Sequence, residues 1–438
     1  MDEGFRRAIE FLEDLKRVES PRILNFSHHD LDGVSSAAII KRLLQRYLNA
    51  TVVTKLPPRF MLTKPEVKDA LADGPFDALV ISDKGTFDHY DDFLEYVENV
   101  LVIDHHLSDG VPKRCVVYNP SAHRSVPTAA SLLCYMLAEE LDLADDHDDF
   151  AALMGCRGDF VFDPVLNNCE EFAKPFIEQS MTKFKNMFEP KVERPTMFDL
   201  VDRERTTLVN QIGELLHAGC LAHLYRPAEG VYGPELVLHC ILKLADEKVK
   251  LNELNNLQDL LNHLPISQVL LDAYNAFKSD WDLLAKRAEN TILLNEVQGV
   301  GIYLIFAREA PAMQAAPFPA ILPYVAMTKL HPLRTSRNHQ NVLMIVFCPK
   351  TQGVHISMRS TGGILDCNIL CSELARRIRA LYRQNEGISG GGHEKAAECF
   401  ISGSVPMYAA MHELMALVRE IVQFARGGSA NNARISPT

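Results

Sequence analysis

Three short apolar runs in the chain stop at acids and imidazoles. Leu101–Ile103 runs into Asp104-His105-His106. Arg22–Ser27 runs into His28-His29-Asp30-Leu31-Asp32-Gly33, and Ala78–Ser82 into Asp83-Lys84-Gly85. Asp30 and Asp32 are one residue apart, so at the end of an extended strand both side chains point the same way. Two such carboxylates repel unless a cation lies between them. Gly33 permits a tight turn into a helix from Val34. The plainer alternative is a polar turn in which Asp32 caps that helix. Adjacent imidazoles directly after a buried strand seldom serve packing, and imidazole is a frequent metal ligand. Gly158-Asp159 closes a further helix; glycine explains the helix end but not the acid. These positions together offer five or six oxygen and nitrogen ligands. A carboxylate-rich set without thiolate suits Mn2+ or Mg2+, and mixed His/Asp favours Mn2+. Asp32 or Asp83 is available to bridge two ions about 3.5–4 Å apart.

The elements that must position these residues follow from hydrophobic period. Helices are expected at Phe5–Lys16, Val34–Leu48, Glu66–Leu71, Asp91–Val97, Thr128–Leu141 and Asp148–Met154, alternating with short apolar strands. That alternation indicates βαβ units and a mostly parallel sheet. Right-handed crossovers then place the strand ends on one edge, where ligands of open α/β sheets bind. From Phe172 to Asn295 helical patterns dominate, with Pro-rich breaks near Pro190–Pro195 and Arg226–Gly233. Strands return at Val300–Phe306, Val342–Phe347 and Gly353–Met358. They are followed by a helix at Asn368–Arg383, a loop at Gly387–Gly392, a helix or turn from His393, a strand at Cys399–Ser402 and a closing helix at Met407–Ala425. The expected organisation is a doubly wound α/β domain over 1–165, a helical connector over 166–296, a smaller α/β domain over 297–426 and a disordered tail over 427–438.

Composition narrows the function classes. The 438 residues are 47% hydrophobic and 23% charged, an ordinary globular balance with ample core. The formal net charge of −12 argues against a broad, sequence-blind nucleic-acid coat, though not against a local basic channel or a small phosphorylated substrate. The ten cysteines form no CxxC pair. Cys367 and Cys371 lie one helical turn apart with no second pair to complete a zinc site, so reduced thiols and a cytoplasmic setting are expected. No run of about 18 apolar residues suggests a membrane span, and Met1–Arg17 does not read as a signal peptide.

In the second α/β domain, Gly390-Gly391-Gly392-His393 precedes Glu394-Lys395-Ala396-Ala397. Consecutive glycines expose backbone N–H groups to an anion, and His393 can donate to a phosphate oxygen. The preceding strand carries Ser357-Met358-Arg359-Ser360, where Arg359 is available for a bidentate phosphate contact. The plainer readings are a flexible linker and a solvated arginine.

Asp104-His105-His106, preceded by His28-x-Asp30-x-Asp32-Gly33 and Asp83 and followed by Asp159, resembles the DHH phosphoesterase superfamily. Gly390-Gly391-Gly392-His393-x-x-Ala396-Ala397 resembles the signature of that family's associated C-terminal domain. Within the superfamily the chain is most similar to RecJ-like exonucleases and the nanoRNase group. The resemblance implies a two-manganese hydrolase with its active-site cleft between two α/β domains. It implies His28, Asp30, Asp32, Asp83, His105 and Asp159 as metal ligands and Asp104 as a support for His105 or for the site. His106 would contact the scissile phosphate and protonate the leaving oxygen. Arg359, Ser360, Gly390, Gly391, Gly392 and His393 would hold the substrate's end. Two departures stand out: Phe26 stands where many members carry a histidine, four residues before the first motif aspartate, and Glu398 stands where the C-terminal signature commonly ends in glycine.

The expected activity is therefore metal-dependent exonucleolytic hydrolysis of single-stranded or short DNA or RNA to mononucleotides, with Mn2+ as cofactor and Mg2+ as its substitute. The alternatives are a dinucleotide, cyclic-dinucleotide or nanoRNA phosphodiesterase, and a non-catalytic DHH scaffold in a nucleic-acid-processing complex. A homo-oligomer or a protein partner would engage the helical connector.

Overall fold

A computed structural model of the chain describes residues 2–438 apart from 109, 226–229, 265–266, 289, 298, 308–317, 351–352, 362–364, 383–386, 404 and 428–438. It divides into two compact units, Met1–Asn275 and Ala276–Thr438.

The first unit is built on a five-stranded sheet in the order β2-β1-β3-β4-β5. Its strands are β1 (Arg22–Ser27), β2 (Thr51–Lys55), β3 (Ala78–Ser82), β4 (Asn99–Ile103) and β5 (Val116–Tyr118), and all four pairings are parallel. Leu79, Val80 and Ile81, and Leu101, Val102 and Ile103, are completely buried. Covering of both sheet faces is why these strands read as continuous apolar runs rather than alternating ones. Leu24, Phe26, Ile81 and Val102 form one core with Tyr90 and Phe93. Phe26 is thus a core residue. The segment Asp88–Glu95 forms a 3-10 helix rather than the α-helix expected over Asp91–Val97.

Against the sheet lie α1 (Glu3–Leu15), α2 (Leu31–Leu48), α3 (Lys64–Leu71), α4 (Ala130–Glu140) and α5 (Asp146–Gly158). Helix α2 begins three residues earlier than its apolar period suggested. Asp30, not Asp32, is its N-cap, accepting a hydrogen bond from the Gly33 amide at 3.0 Å. Asp32 lies within the first turn, so the two aspartates are positioned by a helix start and not by strand alternation.

The expected connector is not separate over most of its length. Helices α6 (Lys174–Lys183), α7 (Lys185–Phe188), α8 (Leu208–Cys220), α9 (Ala222–Tyr225), α10 (Gly233–Asp246) and α11 (Leu257–Leu261) belong to the first unit. The division falls inside α12 (Ser267–Arg287). Burial of Leu208, Val209, Ile212, Leu215 and Leu216 on α8 shows a helix whose apolar face is already used within that unit.

The second unit has a six-stranded sheet in the order β12-β13-β11-β10-β9-β8. The strands are β8 (Ile292–Val297), β9 (Val300–Phe306), β10 (Asn341–Lys350), β11 (Gly353–Ser360), β12 (Ser389–Gly392) and β13 (Ala396–Ser402), with helices α13 (Phe318–Ser336), α14 (Cys367–Tyr382) and α15 (Met407–Gly427). Helix α13 escapes sequence reading because Pro323 and Pro332 lie inside it. The glycine run is not a loop before a helix. It is strand β12, paired antiparallel with β13, and a tight turn at His393 joins them. A Cβ at Gly390 would lie 2.2 Å from the Cys371 carbonyl oxygen on α14, so glycine there permits the strand to pack directly on the helix backbone. Residues 428–438 of the expected tail lie outside the described residues, and Gly427 ends α15.

Candidate metal centre

The three motif-bearing strands end level. Ser27 pairs with Ser82, and Ser82 with Ile103. His28-x-Asp30, Asp83 and Asp104-His105-His106 therefore leave the sheet side by side at its carboxyl edge. His105 Nε2 lies 3.1 Å from Asp159 Oδ2, 3.3 Å from Asp83 Oδ1 and 3.7 Å from Asp32 Oδ2. His28 Nδ1 is 2.9 Å from Asp30 Oδ2 and 3.9 Å from Asp83 Oδ2. Ligand atoms of His28, Asp30 and Asp83 lie within 4.8 Å of one another, as do those of Asp32, Asp83 and His105, and those of Asp83, Asp104 and His106. Asp83 belongs to all three groups. Its backbone is left-handed, with φ 55°, a conformation that Asp tolerates better than most residues. Its amide donates to the Ile103 carbonyl at 3.0 Å.

Asp159 reaches this edge because α2 and α5 run antiparallel. At the end of the pair remote from the acids, Arg42 Nε and Arg46 Nη2 bind Asp148 at 2.9 and 2.7 Å, and both arginines also bind Asp145, the N-cap of α5. With that end pinned, the C-cap of α5, Asp159, comes opposite the first turn of α2. The helices approach closely there: a Cβ on Gly155 would lie 2.0 Å from Ser131 Oγ and 2.5 Å from Asp32 Oδ1. Asp32 also accepts from the Ala130 and Ser131 amides at 2.7 and 3.0 Å, so its carboxylate closes the N-terminus of α4.

Burial, and then the charges of Asp30, Asp32, Asp159 and Asp104, push the Asp83 carboxyl well above the usual carboxylate range. Burial, then Asp32 and Asp30, do the same to Asp159. Burial raises Asp32 to about 6 against its hydrogen bonds from Ser131. Asp30 is also pushed up by burial, but His28 and the Gly33 amide outweigh this and hold it below the usual range. Burial, helped by His106, lowers His105 to about 3, so its ring is neutral. Asp83 Oδ2 is buried without a hydrogen-bond partner. Crowded, mutually repelling carboxylates, a neutral imidazole and an unsatisfied buried oxygen are the donor chemistry that a hard divalent cation would satisfy. The residues present fit such an ion.

Asp104, expected from the resemblance to orient His105 or to support the site, turns to the neighbouring imidazole. Asp104 Oδ1 lies 2.9 Å from His106 Nδ1. Its Oδ2 accepts from Thr86 Oγ1 at 2.9 Å and Asn119 Nδ2 at 3.2 Å. Burial works to raise this carboxyl, yet His106, His105 and the Thr86 hydroxyl hold it below the usual range. Thr86 and Asn119 were missed, although Asn119 directly follows β5 at the same sheet edge, the signal that identified the other residues. Phe60 was also missed; its ring lies 4.7 Å from that of His106 and 5.7 Å from that of His28. Lys84, buried, donates to the Pro57 carbonyl at 3.1 Å and to the Arg59 carbonyl, and so anchors the segment that carries Phe60.

Residues 22–155 match the DHH family, N-terminal domain. Over this segment the chain is similar to DHH-family domains. The matched stretch of the DHH domain includes every candidate residue above except Asp159. A protein of Methanocaldococcus jannaschii is 25% identical over 186 residues, a match that spans 35% of this chain and 40% of that protein. Among solved structures, manganese-bound exonuclease RecJ has a TM-score of 0.54 at 17% identity, covering 98% of this chain and 95% of its own. RecJ of Thermus thermophilus with Mn2+ gives 0.55 at 17%, covering 98% of this chain and 55% of that one. A DHH domain from a member of the s1p family of ribosomal proteins gives 0.62 at 15%, covering 97% and 93%. At these identities the likeness is one of fold, and it extends beyond the DHH domain.

The remaining candidates lie in the second unit. Gly390, Gly391 and Gly392 form β12; His393 is in the turn, and its amide donates to the Ala396 carbonyl at 2.7 Å. Ser360 ends β11, and its amide donates to the Lys395 carbonyl at 2.9 Å. Arg359 is buried and bound to Glu398 at 2.7 Å.

Proposed function

We propose that the chain is a divalent-metal phosphodiesterase that releases mononucleotides from an end of single-stranded or short nucleic acid. The observation that carries this reading is the sharing of Asp83 among three adjoining ligand groups at one sheet edge. A shared carboxylate suits two ions, Mn2+ or Mg2+, held by His28, Asp30, Asp32, Asp83, His105 and Asp159. When bound, the ions supply neutralisation of the phosphate charge and an acidified water. The chain does the rest. The neutral His105 offers a lone pair as a ligand. Asp104, fixed by Thr86 and Asn119, orients His106, which carries a proton towards the leaving oxygen. Ser360, Gly390, Gly391, Gly392 and His393 contact the substrate's end, while Arg359 is committed to Glu398.

The test is Mn2+-dependent release of mononucleotides from end-labelled DNA and RNA, from dinucleotides to about twenty nucleotides. Asp83→Asn and His106→Ala should each lose about a hundredfold or more in rate. Cleavage confined to the shortest substrates would favour the dinucleotide or nanoRNA reading, which the net charge of −12 supports. Metal binding without cleavage at any length would overturn the enzymatic reading in favour of a scaffold.

A further inference from the structure

One face of the second sheet holds a polar group that the metal centre does not use. His355, Ser357 and Arg359 alternate along β11 and so share that face. Their cross-strand partners on β13 are Phe400, Glu398 and Ala396. All three β11 side chains turn to Glu398. Its Oε1 accepts from Arg359 Nη2 at 2.7 Å and from Ser357 Oγ at 3.0 Å, and its Oε2 accepts from His355 Nε2. Arg359 Nη1 is steered by Ser357 Oγ at 2.7 Å and by the Met358 and Ala397 carbonyls at 2.9 and 3.2 Å.

The burial order is the reverse of an ordinary surface ion pair, in which a long basic side chain carries its charge out to water. Here the arginine and histidine side chains are 5% and 6% exposed, and the Glu398 side chain is 28% exposed. Donors and acceptor stand on adjacent strands of one sheet, with the donors the more deeply buried and the carboxylate held by all three. A desolvated guanidinium needs a counter-anion. A group with two or more oxygens, presented to a guanidinium, a hydroxyl and an imidazole N–H, describes a phosphate as well as a carboxylate. The cross-strand partner of Glu398 on β12 is Gly391, which places no side chain over the group.

We propose that Glu398 is a tethered occupant of an anion pocket formed by His355, Ser357 and Arg359, and that it keeps a terminal phosphate of the substrate out of that pocket. The pocket stands on its own geometry; only the identity of the excluded group rests on the proposed function. Glu398 is then a specificity residue, and the second unit handles substrate ends without requiring a phosphate on them.

The test uses the full chain in metal-free buffer, with inorganic phosphate and acetate as probes and thermal melting and calorimetric titration as readouts. Glu398→Ala should melt below wild type without anions and recover in phosphate or acetate. Its phosphate affinity should exceed wild type by about tenfold or more, the worth of one charge-assisted contact. Arg359→Gln in the same background should abolish the gain. If Glu398→Ala fails to fold, Glu398→Gln decides: it keeps the volume and loses the charge, and should bind phosphate more tightly than wild type. A folded Glu398→Ala with no anion response would overturn the proposal, as would a gain that survives Arg359→Gln, or a Glu398→Gln affinity equal to wild type. None of these readouts requires turnover, so failure of the phosphodiesterase reading leaves this one decided on its own.

Discussion

Asp83 is held in a left-handed backbone and faces four other acids, so a bound metal would compete directly with a proton for it. An acid whose folded pKa is raised destabilises the metal-free protein as pH rises above its unfolded value near 4. Asp83→Asn removes that repulsion, and Asn accepts the left-handed φ. Without metal, the variant should be more stable than wild type at pH 7 by about 1 kcal/mol or more. It should also lack the rise in melting temperature that Mn2+ is expected to give wild type; melts with chelator and with Mn2+ check both. Because burial holds Asp32 at about 6, Mn2+ affinity should fall steadily as pH drops below that value, as read by titration across pH. Asn119 acts one step back, through Asp104. Asn119→Ala should lower turnover by about 10–100-fold while Mn2+ still binds, and a kcat effect without a matching loss of metal distinguishes this from collapse of the site.

The centre depends on how closely α2, α4 and α5 approach. Gly155→Ala would set a methyl group against Ser131 Oγ and Asp32 Oδ1. The expected cost is about 1–3 kcal/mol of stability from overpacking. Displacement of Asp32 should also weaken Mn2+ binding. Denaturant unfolding and metal titration of one variant read the two effects. Arg42 and Arg46 act at the other end of the same pair. Asp148 is completely buried between them, so Arg46→Ala tests whether a remote ion network holds Asp159 in place. The second sheet shows the same logic at Gly390, where absence of a side chain lets β12 rest on α14.

At the scale of the whole chain, two units with separate cores divide the chemistry. His28, Asp30, Asp32, Asp83, His105 and Asp159 belong to Met1–Asn275, and the Glu398 network belongs to Ala276–Thr438. Hydrogen exchange of the full chain should therefore gain protection on adding Mn2+ in the loops after β1, β3 and β4 and at the end of α5. Exchange within β11 and β13 should stay unchanged. Spread of the change into the second sheet would show that the units are energetically coupled. No described helix is long and apolar enough to cross a membrane.

The sequence by itself determined the parallel sheet of the first unit and the meeting of its strand ends. Short apolar runs buried on both faces allow little else, and an acid directly after such a run has only the sheet edge to occupy. It also determined the type of donor, oxygen and imidazole without thiolate. Tertiary structure decided the assignments that depend on distance through space. Asp30 rather than Asp32 caps α2, because the helix starts before its apolar period does. Asp104 serves His106 because Thr86 and Asn119, 18 and 15 residues away in sequence, fix its other oxygen. The glycine run became an edge strand because its partner β13 and its support α14 lie on either side of it in the chain. Arg359, which reads from sequence as a phosphate ligand or a solvated charge, is buried and paired with Glu398, since a cross-strand register that aligns Ser357 with Glu398 cannot be read from either strand alone.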